Sequence, residues 1–209
     1  MNKGNQRQMR IITEKQEESI LYYISQNSRN PKRDRTIFLL SLKGGLRSIE
    51  ISKLKWIHLL NSDGEFMDFI DLTNETSKGN YGGRKIPLNS RLRNSLIDYL
   101  GELQKKKGRW MIDLMNEYVI ETQRTNRSES TSPQMITNYF YHLYRSMGMI
   151  GYGSHSGRRT FITRSSRKIS LVDGSLRDIQ QMVGHRSLST TQRYIEENKE
   201  SKLKVVELI

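Results

Sequence analysis

The sequence predicts an α+β chain that is mainly α-helical and carries a small antiparallel sheet. Three observations support this. Apolar residues recur at helical spacing in several segments, among them Ile20, Leu21 and Ile24, then Leu92, Leu96 and Leu100. Between Ile57 and Leu88 the texture changes to short alternating runs. Glycine, proline and capping residues fall at the joints between these segments.

Taken in order, residues 1 to 12 hold Lys3, Arg7 and Arg10 among polar residues and read as a flexible basic arm. From Thr13 to about Gln26 an amphipathic helix is expected, with Thr13 and Gln16 spaced as a capping box. Asn30-Pro31 interrupts it. A second, apolar helix runs through Ile37-Phe38-Leu39-Leu40-Ser41-Leu42 and stops at Gly44-Gly45, where glycine tolerates a left-handed backbone. A third, from about Ser48 to Leu54, leaves Arg47 at its N-terminal edge, a place suited to anions. The runs Phe66 to Ile70 and Arg84 to Leu88 are the expected strands.

Asn89 then caps a helix reaching about Lys107, with Arg91, Arg93 and the run Lys105-Lys106-Lys107 on its outward face. Residues 108 to 132 show some helical character around Met111 to Ile120, then a polar loop, and receive no chemistry. Ser132-Pro133 opens a helix in the preferred N-cap and first-turn arrangement, running to about Gly148. Ser154-His155-Ser156-Gly157-Arg158 opens another, to about Lys168. A further helix from Ser175 to Val183 delivers the chain to Gly184 and His185, and the last restarts at Ser189, spaced to Gln192 as a capping box.

Composition narrows the function. The 209 residues suffice for one medium domain, or one domain with arms. With 35 Lys and Arg against 22 Asp and Glu, the formal charge is +13 and the pI about 10.0, which favours a polyanionic partner such as nucleic acid over an inert basic surface. The absence of cysteine excludes disulfides, thiolate metal sites and cysteine nucleophiles. No apolar run approaches bilayer length and the N-terminus lacks a signal-peptide core, so a soluble intracellular protein is expected, with no membrane partner.

Six residues can carry chemistry. His155 and Arg158 are three apart and share a helical face, so they can address one anionic group. Arg47 offers a second guanidinium, and two such forks can hold both non-bridging oxygens of a phosphate. Lys78 lies in a Gly-rich connection from which an ammonium can reach into a duplex groove, while His185 and Tyr194 flank the last helix break. Each has an ordinary reading too: a terminal salt bridge for Arg47, an exposed turn for Lys78, packing for Tyr194. Together, arginine, lysine, histidine and tyrosine are the groups that a transesterification at a phosphodiester needs, with neither metal nor nucleotide cofactor.

Four motifs, in order, resemble the tyrosine recombinases, or phage integrases. They are Gly45-Leu46-Arg47-Ser48-Ile49-Glu50-Ile51 with Leu54 and Trp56, Lys78-Gly79 before Ile86-Pro87-Leu88, His155-Ser156-Gly157-Arg158, and Val183-Gly184-His185 followed by Ser189-Thr190-Thr191-Gln192-Arg193-Tyr194. The nine-residue step from His185 to Tyr194 also matches. The resemblance implies a mostly helical catalytic domain with a three-stranded sheet over residues 13–198. A basic arm over 1–12 precedes it, an apolar tail over 199–209 follows, and no separate core-binding domain is expected, as in short fimbrial-type or compact phage integrases.

By the same resemblance, Tyr194 attacks the scissile phosphate of a double-stranded DNA recombination site to give a 3′-phosphotyrosyl link and a free 5′-hydroxyl. Arg47 and Arg158 clamp the phosphate, Lys78 protonates the leaving oxygen, His155 assists proton transfer from the tyrosine, and His185 hydrogen-bonds a non-bridging oxygen. Glu50 supports this set. The working assembly would be a homotetramer in the synaptic complex, in a prokaryotic or phage-encoded cytoplasmic setting at the nucleoid. The competing readings are a DNA-binding regulator of the same fold with weak catalysis, and strand relaxation without partner exchange.

Overall fold

The computed structural model describes residues 9–73, 83–108, 114–122 and 129–194. Lys78, residues 1–8 of the arm and the apolar tail 199–209 lie outside them. The chain divides after Phe161 into two compact units, residues 1–161 and 162–209.

The first unit begins with helix α1, Glu14–Asn27, closed by the expected capping box: Gln16 donates its backbone N–H to Thr13 Oγ1 at 3.2 Å, and Gln16 Oε1 accepts the Thr13 N–H at 2.9 Å. Ile20 and Ile24 turn inward. Pro31 then occupies the first turn of α2, Pro31–Leu42, where its missing N–H costs nothing. Every residue from Thr36 to Leu42 is buried, so α2 is the element around which the others pack. It ends where Leu46 donates its N–H to the Leu40 carbonyl at 3.1 Å, with Gly45 at φ 65°.

Helix α3, Ser48–Lys53, is followed by a 3₁₀ turn at Trp56–His58. Strands β1, Phe69–Leu72, and β2, Arg84–Pro87, pair antiparallel, Leu72 opposite Arg84 and Phe69 opposite Pro87. Among the described residues this sheet has two strands, with a separate bridge between Leu60 and Phe66. The first strand therefore starts three residues later than the alternating run suggested. Phe66 and Met67 pair instead with the preceding segment, through the Leu60–Phe66 bridge and the Met67 N–H to the Leu59 carbonyl at 2.9 Å, and Arg93 donates to their own carbonyls at 3.0 and 2.9 Å.

Asn89 caps α4, Ser90–Lys107, accepting the Arg91 N–H at 3.0 Å. Its Leu92, Leu96 and Leu100 are buried as their spacing predicts. Arg91 and Arg93 are not idle outward charges, however. Arg91 binds both oxygens of Glu18, at 2.6 and 2.8 Å, and reaches the buried Glu17 at 3.2 Å, while Arg93 also pairs with Asp68.

The segment 114–122 contributes Leu114, Val119 and Ile120 to the core. It is held by backbone bonds from Trp56 to Glu117 at 3.1 Å and from Val119 to Leu54 at 2.8 Å. Helix α5, Pro133–Ser146, starts at the Ser132 cap and buries Ile136, Phe140, Leu143 and Tyr144. Helix α6, Ser156–Lys168, crosses the division between the units.

The second unit continues with a 3₁₀ turn at Ile169–Val172, then α7, Leu176–Val183, which ends at Gly184 with φ 62°. Helix α8 spans Leu188–Gln192, and its cap is Ser187 rather than the expected Ser189. Ser187 Oγ accepts the Ser189 N–H at 3.3 Å, so Ser189 lies inside the helix. No helix among the described residues is long and apolar enough to cross a membrane.

Phe140 is fully buried and stacks on Tyr144 at 6.0 Å. Replacing it with alanine removes that packing and leaves a cavity, so Phe140→Ala is expected to lower unfolding free energy by about 3–5 kcal/mol. Tyr141→Ala, one residue away on the exposed face, should cost far less. Chemical denaturation of both variants checks this, and equal losses would contradict the inward face of α5.

Candidate active site

The first unit gathers three arginines around one buried carboxylate. Arg47 is the N-cap residue of α3, and Glu50 is three residues on, so the geometry of the first turn brings them together. Glu50 Oε2 accepts the Arg47 backbone N–H at 2.8 Å, and Oε1 accepts Arg47 Nη1 at 2.9 Å. Arg84, at the start of β2, donates Nη2 to the same Oε1 at 2.8 Å. Arg158, in the first turn of α6, brings Nη1 to 4.0 Å from Oε2 and donates it to the Gly45 carbonyl at 2.6 Å.

Glu50 is completely buried, which by itself would raise its pKa. The Arg84, Arg158 and Arg47 charges and the Arg47 N–H outweigh that and hold it below the ordinary carboxylate value. An ionised Glu50 amid three guanidiniums leaves an excess of positive charge. The side chain of Arg47 is 27% exposed, against 5% for Arg158 and 10% for Arg84, so Arg47 is the guanidinium most accessible to an incoming anion. Such a cluster is suited to an anion, its donors being held by the protein's own hydrogen bonds.

Gly45 is needed here twice over. Its φ of 65° lies in the left-handed region, and a Cβ there would come within 2.5 Å of the Phe161 ring. That turn aims the Gly45 carbonyl at Arg158. Gly157 has a similar role on α6, since a Cβ at that position would lie 2.4 Å from Ser41 Oγ on α2. The close approach of α6 to α2 sets Arg158 at the depth of Glu50.

His155 immediately precedes α6, its carbonyl accepting the Arg159 N–H at 2.9 Å. Although the residue is exposed, loss of solvent around its ring, followed by the nearby charges of Arg158 and Arg47, holds its pKa below the usual histidine value. It is therefore a neutral imidazole at neutral pH, able to accept a proton. The structure thus brings Arg47, Arg158 and His155 together. The candidate Lys78 lies outside the described residues, within the connection from β1 to β2.

The second unit holds the other two candidates. Gly184 takes the left-handed conformation that ends α7, and His185 follows, its N–H bonded to the Gln180 carbonyl at 3.1 Å. Its ring stacks on Tyr194 at 5.7 Å between centroids with planes 23° apart. His185 Nδ1 hydrogen-bonds the hydroxyl of the buried Thr191 at 3.0 Å, so Nε2 is on the opposite edge of the ring. The Tyr194 backbone is tied by its N–H to the Thr191 carbonyl at 3.0 Å and by its carbonyl to Thr163 Oγ1 at 3.4 Å.

Sequence reasoning missed Arg84 and Thr191. Arg84 stood among basic neighbours with nothing to mark it as inward, although its two-residue offset from the apolar Ile86 places both on one strand face. Among the described residues, no group of three or more His, Cys, Asp or Glu side chains is arranged to hold a metal ion.

Comparison with known proteins places the chain in a family. The phage integrase family model matches residues 10–201. The tyrosine recombinase XerC of Rickettsia typhi is 29% identical over 163 residues, covering 78% of this chain and 46% of its own. XerA of Thermococcus onnurineus is 31% identical over 166 residues, with 78% and 50% covered. The chain thus spans about half the length of these relatives. Among solved structures, the Tn1549 transposon integrase in complex with a circular intermediate DNA superposes with a TM-score of 0.70 at 18% identity, over 100% of this chain and 68% of that one, a likeness of fold. The protein belongs to the phage integrase family.

The lowered pKa of His155 has a definite sign. The folded protein binds this proton less readily than the unfolded chain, so the associated stability is present above pH 6.5 and is lost as pH falls through the lowered value. Ring-proton NMR should show a midpoint below 6.5 for His155, and His155→Gln should flatten the acid limb of the stability profile. A midpoint at or above 6.5 would contradict the influence of Arg158 and Arg47.

Proposed function

We propose that this chain is a tyrosine-type DNA strand transferase, a site-specific recombinase or integrase that cuts and rejoins DNA through a 3′-phosphotyrosyl intermediate. The observation that carries the reading is the arginine cluster on Glu50 with a neutral His155 beside it, in a member of the phage integrase family. Supporting it, the relatives are named tyrosine recombinases and the similar Tn1549 integrase structure holds DNA.

In this reading Arg47 and Arg158 neutralise the non-bridging oxygens as charge builds on the phosphorus. Tyr194 Oη forms the new bond to phosphorus while the bond to the 5′-oxygen breaks. The tyrosine proton passes to His155, and Lys78 supplies a proton to the leaving 5′-oxygen. His185, oriented by Thr191, donates to a non-bridging oxygen. Attack by a 5′-hydroxyl of a partner strand runs the same steps backwards and frees the tyrosine. One phosphoester replaces another at each step, so no ATP is consumed.

The partner is a double-stranded DNA recombination site, engaged by a homotetramer in the synaptic complex, in the cytoplasm at the nucleoid. Residues 13–198 would be the catalytic portion and 199–209 an apolar docking tail; of the arm expected over 1–12, Arg10 and the buried Ile12 are instead tied into the first unit, to the Gly151 carbonyl at 3.1 Å and Thr160 Oγ1 at 2.8 Å, which leaves 1–8 as the DNA-contacting arm.

Duplexes selected for binding from a random library supply the test substrate, nicked near the exchange point so that cleavage cannot reverse. The wild-type chain should form an SDS-stable adduct with them, and Tyr194→Phe should abolish it; an adduct that survives this change removes Tyr194 as the nucleophile. Lys78→Ala should slow cleavage by about 100-fold or more with little change in binding, and equal losses in both would reduce Lys78 to a phosphate contact. Specific binding without any adduct would instead identify a DNA-binding regulator.

A further inference from the structure

Glu50 Oε1 accepts two guanidinium N–H groups, Arg47 Nη1 at 2.9 Å and Arg84 Nη2 at 2.8 Å. The two arginines come from distant parts of the chain, one at the edge of α3 and the other at the first residue of β2. Arg84 shares a strand face with the buried Ile86, and its side chain is only 10% exposed, so it is largely removed from water and directed at Glu50. Burial of a guanidinium on this scale calls for hydrogen-bond acceptors and a nearby opposite charge, and Glu50 supplies both to Arg84. Gly83, just before it, runs close to the opposite strand: a Cβ there would lie 2.7 Å from the Leu72 carbonyl.

Two donors on one oxygen each hold it less strongly than one donor alone. Without Arg84, the Glu50 carboxylate would concentrate its attraction on Arg47 and draw that charge away from an incoming phosphate. One positive charge would also leave the cluster, lowering the potential the phosphate meets. Both effects act in the same direction. Arg84 is also the strongest of the charges that keep Glu50 ionised in its buried position.

We infer that Arg84 is a positioning residue for strand transfer: by sharing Glu50 Oε1 it limits the carboxylate's hold on Arg47 and leaves that guanidinium presented to the scissile phosphate. The inference rests on the function proposed above, but its central claim, the coupling of Arg84 to Arg47, can be measured without any cleavage. It also gives β2 a direct link to the phosphate-binding arginine, from the strand that follows the connection carrying Lys78.

Two variants separate charge from hydrogen bonding: Arg84→Lys keeps the charge, and Arg84→Gln keeps a donor without it. The first readout is the rate at which phenylglyoxal modifies Arg47, followed by peptide mass spectrometry on the full chain. In Arg84→Gln, Arg47 is more tightly held by Glu50, and its modification should slow by at least about threefold, while Arg84→Lys stays near wild type. An unchanged or faster rate in Arg84→Gln overturns the inference.

The second readout is single-turnover cleavage at saturating protein, alongside equilibrium DNA binding. Arg84→Gln should cleave at least about tenfold more slowly with binding held within about threefold, and Arg84→Lys should recover most of the rate. Cleavage within about twofold of wild type in Arg84→Gln also overturns it. If the wild-type chain itself forms no adduct, the proposed function fails, while the Arg47 modification rates still decide whether Arg84 governs Arg47.

Discussion

The ionised, fully buried Glu50 is the constraint on which the candidate site depends. A carboxylate without water must be matched by nearby positive charge, and the first unit supplies it from three places: the edge of α3, the start of β2 and the first turn of α6. Arg47 and Arg84 are oriented by hydrogen bonds to that group, while Arg158 is held by the Gly45 carbonyl with its charge 4.0 Å from Glu50. The result is a cationic cluster in which like charges lie close together because the carboxylate among them offsets their repulsion. In the proposed function, a phosphate arriving there would meet donors already aligned, with little reorganisation left to do.

The packing beneath the cluster explains why it is rigid. Helix α2, buried along its length from Thr36 to Leu42, forms the floor, and two close approaches fix what lies above it. The left-handed turn at Gly45 directs a carbonyl at Arg158, and the missing side chain at Gly157 lets α6 come down on Ser41. Neither glycine has chemistry of its own. They convert helix packing into the placement of an arginine.

Much of this was legible in the sequence because the signals are local. The Thr13 and Gln16 capping box, the Asn89 cap and the Ser132-Pro133 start involve residues within a turn of one another, and each formed as read. Arg47, His155, Arg158, His185 and Tyr194 were named from motif spacing, and the first three do converge. What escaped depends on distant partners. Arg84 points inward because of a carboxylate 34 residues away, and β1 starts late because Phe66 and Met67 pair with Leu60 and Leu59 instead. The segment 114–122 owes its place to backbone bonds with Leu54 and Trp56, which no local periodicity encodes. At α8 two serines two residues apart both fit a cap, and the hydrogen bond of Ser187 decided between them.

The first unit closes on itself across its whole length. Ile12 donates its N–H to Thr160 at 2.8 Å, Arg10 to the Gly151 carbonyl at 3.1 Å, and Gln16 meets the Tyr152 hydroxyl at 2.9 Å. Contacts of such long sequence separation are slow to form, because the intervening loop entropy is lost before they contribute. During synthesis α1 can pack early on α2, but these bonds of residues 10–16 wait for the segment that also carries His155 and Arg158. The arginine cluster is completed by the same late event that completes the fold, so a partly made chain lacks the finished cluster.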